Sequence, residues 1–154
     1  MATYTIASIC TNIHETFEEI AEINRVFNYD EIPDSIPNMD LPLIMVYPNL
    51  ISPMSGGSET QVFSFGGGST KMAIKEFVFI ADLFVKQRAN FNESLIALVP
   101  LAQIVLDKVE AQPTRAPFGD EAISSFQFEG ERSVINYGDA DYDCVRYTIS
   151  VRVF

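Results

Sequence analysis

Histidine, cysteine and basic residues are scarce in this chain, and each shortage removes a class of function. There is one histidine, His14, and there are two cysteines, Cys10 and Cys144, far apart and outside any Cys-x-x-Cys or mixed Cys/His cluster. Structural zinc needs about four such ligands at short spacing. A nucleophile–histidine pair has a single histidine to draw on, and no Gly-x-Ser-x-Gly elbow accompanies it. His14 therefore reads as a surface or boundary residue, and the cysteines as buried or half-buried free thiols in a reducing compartment. Lys and Arg total 10 against 21 Asp and Glu, a net charge of −11. Such a chain repels nucleic acid and anionic membranes. No apolar run approaches the roughly 18 residues of a bilayer-spanning helix. No basic segment followed by an apolar one opens the sequence, so no signal peptide is expected, and a soluble protein made in a cytoplasm is.

What is present is a globular composition. With 154 residues, 47% of them hydrophobic, the chain is long enough to bury a core without disulfide or metal, and a single domain over 1–154 is expected. The longest strand-like run, Lys71 to Lys86, organises the rest. Read with period two, Met72 and Ile74 share a face, with Lys71 and Lys75 opposite. Further on Phe77, Phe79, Ala81, Leu83 and Val85 line one side, with Glu76 and Asp82 on the other. Val78 and Ile80 make the middle apolar on both sides, as in a central strand covered on both faces.

Ahead of this strand, Ile6, Ile9, Ile13, Phe17, Ile20 and Ile23 form one stripe, predicting an amphipathic helix over 3–27 with Thr3 or Thr5 as cap. Residues 28–40 hold prolines, Asp and Asn and read as a loop. Leu41 to Tyr47 is a short apolar strand. The Gly- and Ser-rich stretch 49–71 reads as a flexible, protruding hairpin arm, with a strand at Gln61 to Phe65 and a turn at Gly66–Gly68. A phosphate-loop reading fails there, because Lys71 follows Ser69-Thr70 where Gly-Lys-Ser/Thr is needed.

After the central strand, Asn90 and Glu93 match a capping box for a helix to about Glu110, bent at Pro100. Its broad apolar stripe runs through Leu95, Leu98, Val99, Ala102, Val105, Leu106 and Val109. A connector, 111–122, leads to three predicted strands: Ser125 to Glu129, a turn at Glu129-Gly130-Glu131, Arg132 to Tyr137, an acidic loop over 138–143, and Cys144 to Phe154. The last alternates cleanly between Val145, Tyr147, Ile149, Val151, Val153 and Arg146, Thr148, Ser150, Arg152. The fold class is therefore α+β, a largely antiparallel sheet with two main helices on one face and a hairpin arm. Asp139, Asp141 and Asp143 imitate the start of a calcium loop, but the sixth position is Cys144 and the twelfth Ser150, so no metal or other cofactor is expected. Nothing selects two of the carboxylates for acid–base work, and no enzyme activity is expected.

Four segments carry a family likeness: LIMVYP at 43–48, EFVFIADLFV at 76–85, SLIALVPLAQIVLDKVEAQPT at 94–114, and VINYGDADYDCVRYTISVRVF at 134–154. Together with the element order, they resemble the tail-terminator (tail-completion) group of tailed-bacteriophage neck proteins. The resemblance implies a one-domain virion subunit made in the host cytoplasm. Copies form a ring, commonly a hexamer, that caps the tail tube, stops its growth and meets the head connector while DNA passes through without specific binding. It brings no catalytic residues. On this reading Ser55, Gly56, Gly57, Phe63, Phe65 and Gly67 of the arm, with Arg146 and Arg152, are candidate subunit or partner contacts. Glu129, Glu131, Asp139, Asp141 and Asp143 are candidates for an acidic lumen or hairpin tip. A head-closure or neck adaptor is the alternative within the same class, and a small-ligand binding or enzyme domain the alternative outside it.

Overall fold

A computed structural model describes residues 5–49, 59–63, 73–87, 91–138 and 140–153. Two helices and six strands lie among them: α1 (Ile6–Glu18), β1 (Arg25–Phe27), β2 (Leu43–Pro48), β3 (Glu59–Phe63), β4 (Ala73–Gln87), α2 (Phe91–Glu110), β5 (Ile123–Tyr137) and β6 (Ala140–Val153). They build one sheet in the order β1-β2-β4-β6-β5, with β3 also pairing β4. Only β1 and β2 run parallel, so the class is α+β with a mostly antiparallel sheet. β4 is central as its pattern predicts. β6 follows it along one edge, and β2 and β3 share the other in succession.

One face of the sheet holds the main core. Phe77, Phe79, Ala81, Leu83 and Val85 of β4, and Val145, Tyr147, Ile149, Val151 and Val153 of β6, pack with Ile9, Ile13 and Phe17 of α1 and Leu98, Val105 and Val109 of α2. Each buried Val, Leu, Ile or Phe among them contributes about 1.5–3 kcal/mol on burial. A smaller cluster on the opposite face joins Phe27, Leu43, Met45, Phe84, Tyr142 and Cys144 under Ile36 of the 28–40 segment. Phe84 meets Tyr137 and Tyr142 edge to face at 5.8 and 5.9 Å. The Tyr137 hydroxyl donates to the Pro33 carbonyl and holds the segment down. Both cysteines are buried and unpaired.

Three features correct the sequence reading. The first helix is shorter. Thr5 caps it, its hydroxyl accepting from the Ser8 N–H at 3.0 Å while its own N–H donates to the Ser8 hydroxyl at 2.8 Å. The helix stops at Glu18 rather than near 27. Its last turn has no base and carries acidic residues, which the negative end of a helix dipole disfavours. The stripe continues because Ile20 and Ile23 are placed by three-residue turns, Ile20 N–H to Phe17 O and Ile23 N–H to Ile20 O, and not by helix. Both are buried, and β1 follows immediately.

His14 is buried and not at the surface. Its Nε2 lies 2.9 Å from the Val26 carbonyl oxygen and its Nδ1 3.1 Å from a Glu18 carboxylate oxygen, so the ring ties α1 to β1.

The turn expected at Glu129-Gly130-Glu131 does not exist. β5 runs unbroken through it and pairs with β6 from end to end, so the last third is a two-stranded hairpin and not a meander of three. Gly130 lies opposite Tyr147, where an added Cβ would stand 2.9 Å from the tyrosine ring. The glycine marks a close approach inside a strand.

Candidate functional site

The two faces of the β4–β6–β5 layer differ in chemistry. On the face away from the helices, strand register sets polar residues in rows: Asp82, Arg146 and Glu131; Thr148 and Glu129, beside Ile80; Glu76, Arg152 and Ser125. The alternation Arg146, Thr148, Ser150, Arg152 in β6 and Gln127, Glu129, Glu131 in β5 generates this face. Glu129, Glu131, Arg146 and Thr148 line a shallow concavity of ≈ 330 Å³, and Glu76, Gln127, Ser150 and Arg152 a second of ≈ 170 Å³.

Asp82 anchors the first. Its side chain is 5% exposed, and Arg146 forks onto it, Nε to Oδ1 at 2.9 Å and Nη2 to Oδ2 at 3.2 Å. The Tyr47 hydroxyl donates to Oδ2 at 2.6 Å. Bonding to Asp82 pushes the arginine pKa further up and keeps it charged. Burial, then the Asp82 charge, pushes the Tyr47 phenol up and keeps it neutral and donating. Arg152 lies 3.8 Å from Glu76. Both arginines of this face thus meet carboxylates, and Glu129 and Glu131, exposed on β5, leave it net negative.

On the helix-bearing face an apolar groove of ≈ 370 Å³ opens between α2 and the edge strand β5, walled by Val99, Ala102 and Leu106 and by Phe128, Arg132 and Tyr147. Tyr147 stacks on Phe128 at 5.0 Å, and its hydroxyl donates to the Ala102 carbonyl at 3.1 Å, which fixes the floor against the helix. Burial pushes its phenol pKa up. The outer side of α2 is apolar and open around Ile96, 68% exposed, and Val99, 57% exposed, and turns polar further on at Gln103, Asp107 and Glu110. Pro100 lies on that side, where water can partner the carbonyl its missing N–H leaves unbonded. Arg132 is the one charged residue among the described walls of the groove, and its Nη2 reaches the fully buried Asp143 at 3.4 Å. No protein-family model matches the chain, and no curated protein matches it.

The predicted site residues scatter. Ser55, Gly56, Gly57, Phe65 and Gly67 lie outside the described residues, as do Asp139 and Asn90 of the capping box. Phe63 ends β3, its backbone paired with Ala73, and the connection 64–72 is again outside. Arg146 and Arg152 are exposed on the polar face as predicted. The four described acids do not form one patch. Glu129 and Glu131 lie on the polar face, within a strand and away from any hairpin tip. Asp141 is exposed near the β5–β6 turn and accepts from Asn136 at 2.9 Å. Asp143 is no solvated tip. It is wholly buried, with Arg132 at one oxygen and Lys86 opposite in register.

Sequence reasoning missed Asp82 and Tyr47 as partners of Arg146, and it missed the groove. Signals existed for both. A carboxylate in the middle of an apolar central strand needs a cation across the ladder. The α2 stripe was also wider than one packed face uses. Among the described residues no group of His, Cys, Asp and Glu is placed to hold a metal, and no helix is long and apolar enough to cross a membrane.

Proposed function

We propose that the chain is a structural subunit of a tailed-phage virion, a tail terminator that works as a ring in the neck, capping the tail tube and joining it to the head connector. The observation that carries this reading is the unlikeness of the subunit's two open surfaces. One is an ion-paired, net-acidic sheet face; the other is an apolar groove beside an exposed helix side. A subunit of a closed ring turns one surface to the lumen and others to its neighbours, so its open surfaces differ in chemistry. A lumen that conducts DNA without holding it needs negative charge, which Glu129 and Glu131 supply once the arginines are matched by Asp82 and Glu76. The family likeness of the four segments supports the same role.

The test is termination itself. Purified chain is added to the polymerising tail-tube protein of the same virus, and tube lengths are read by electron microscopy. The reading predicts that growth stops at low molar ratio, with the chain at one tube end. Unaltered length distributions with the chain in excess would overturn it.

A further inference from the structure

The two apolar clusters of the sheet are covered in unlike ways. The main cluster lies under two helices and holds Cys10. The far-face cluster, with Phe27, Leu43, Met45, Phe84, Tyr142 and Cys144, lies under the 28–40 segment. Apart from Ile36 and the partly buried Leu41, its residues come from strands of the sheet.

Little fastens that segment between its ends. At its start Asn28 is buried, accepting from the Cys10 thiol at 3.3 Å and donating to the Thr11 hydroxyl at 3.1 Å. At its far end the chain enters β2. Between Tyr29 and Asp40, Ile36 is the one buried side chain among those described, and Tyr29, Ile32 and Met39 are exposed. Two backbone bonds, Glu31 N–H to Asn28 O at 2.9 Å and Asp40 N–H to Pro37 O at 3.0 Å, stay within the segment. The polar ties from residues 29–40 to the rest of the fold are the Tyr137 hydroxyl on the Pro33 carbonyl and a Glu31 carboxylate oxygen 3.9 Å from His14 Nε2. Under the segment the packing is incomplete. Ile32 on one side and Met45, Phe84, Ile135 and Tyr137 of the sheet on the other wall a hollow of ≈ 240 Å³. A segment with few buried apolar contacts and few bonds to its neighbours opens at a lower free-energy cost than the whole chain.

We propose that residues 29–40 are a strap that lifts off the sheet by itself, hinged at Asn28 and at the entry to β2, while the helix-covered core stays folded. Ile36 and the Tyr137–Pro33 bond latch it. Lifting breaks both and bares the face formed by Leu43, Met45, Phe84 and Tyr142, with Cys144 among them. The closed chain hides an apolar sheet face that the open state presents. The strap belongs to the single chain and does not rest on the ring or tail reading above.

The two buried cysteines report on it, one in each cluster. A thiol reagent is added to the native chain at several low urea concentrations, and labelling at each cysteine is followed at low conversion by peptide mass spectrometry. Cys144 is expected to label at least roughly 10-fold faster than Cys10 in water. Its rate is expected to rise weakly with urea, because the open strap exposes little surface, whereas the Cys10 rate rises with the full unfolding m-value. Tyr137→Phe keeps the ring against Phe84 and removes the latching hydroxyl. It is expected to speed Cys144 labelling about 2- to 10-fold, the scale of one hydrogen bond. Ile13→Val, in the main core, is expected to speed Cys10 labelling by about the same factor and to leave Cys144 unchanged. One common rate and urea slope for both cysteines, an unchanged Cys144 rate in Tyr137→Phe, or equal acceleration of both cysteines in Ile13→Val would overturn the inference.

Discussion

Replacing Arg146 by methionine isolates a buried charge. The substitution keeps the aliphatic stem and removes the guanidinium that forks onto Asp82 at 2.9 and 3.2 Å. Asp82 cannot turn to water, since its side chain is 5% exposed, and its remaining partner among the described contacts is the Tyr47 hydroxyl at 2.6 Å. Stranding one member of a fully buried pair costs about 3–5 kcal/mol. Arg146 itself is 45% exposed, which places the expected loss near the lower end, about 3 kcal/mol. The pair is worth far less than that figure, because Asp82 and part of Arg146 were desolvated to make it. Asp82→Leu with Arg146→Met, which removes both, is therefore expected to come within about 1 kcal/mol of the parent. Urea unfolding followed by circular dichroism at one fixed chain concentration measures this, with an unchanged m-value as the check that the folded state is intact. A loss below about 1 kcal/mol in Arg146→Met, or a double variant no more stable than the single, would refute the reasoning.

Other outcomes follow from the same geometry. Tyr47→Phe deprives Asp82 of its second donor and is expected to cost about 1.5–3 kcal/mol, read from the urea midpoint. Gly130→Ala pushes a methyl against a Tyr147 ring that is stacked on Phe128 and bonded to Ala102, so overpacking of about 1–3 kcal/mol should outweigh the entropic gain of about 0.4–1 kcal/mol; a neutral or stabilising result contradicts the close approach. Burial raises the Cys10 thiol from an ordinary 9.0 to about 12, so the unfolded chain loses that proton first. Stability from this group is complete below pH 9 and falls as pH rises from 9 toward 12, with a slope of about 1.4 kcal/mol per pH unit once the unfolded thiol is ionised. Cys10→Ala should show a correspondingly shallower loss between pH 10 and 11.

Period two was legible wherever a strand had one buried face. The phase of β4 from Phe77 to Val85 and the alternation of β6 were plain in the sequence, and with them the central strand and the fold class. Spacing failed where two geometries share a period. Three-residue turns continue a helical stripe, so Ile20 and Ile23 extended α1 on paper into what is turn and β1. Glycine misled for a related reason. Gly130 between two glutamates looks like a turn, yet the pattern is equally that of a strand with both acids on one wet face and a tyrosine pressed against the gap. The candidate surfaces were legible only in part, because they depend on register between distant strands. Arg146 could be read as outward-facing, but its partner 64 residues away could not. Asp143 looked solvated beside Asp139 and Asp141 because nothing local shows that Arg132 and Lys86 flank it.

The most direct measurement is the mass of the purified chain by light scattering across a concentration series, with electron micrographs of any large species. The account predicts a discrete assembly of about six copies that appears as rings. A single monomeric mass at every concentration, unchanged by the addition of tail tubes, would contradict it.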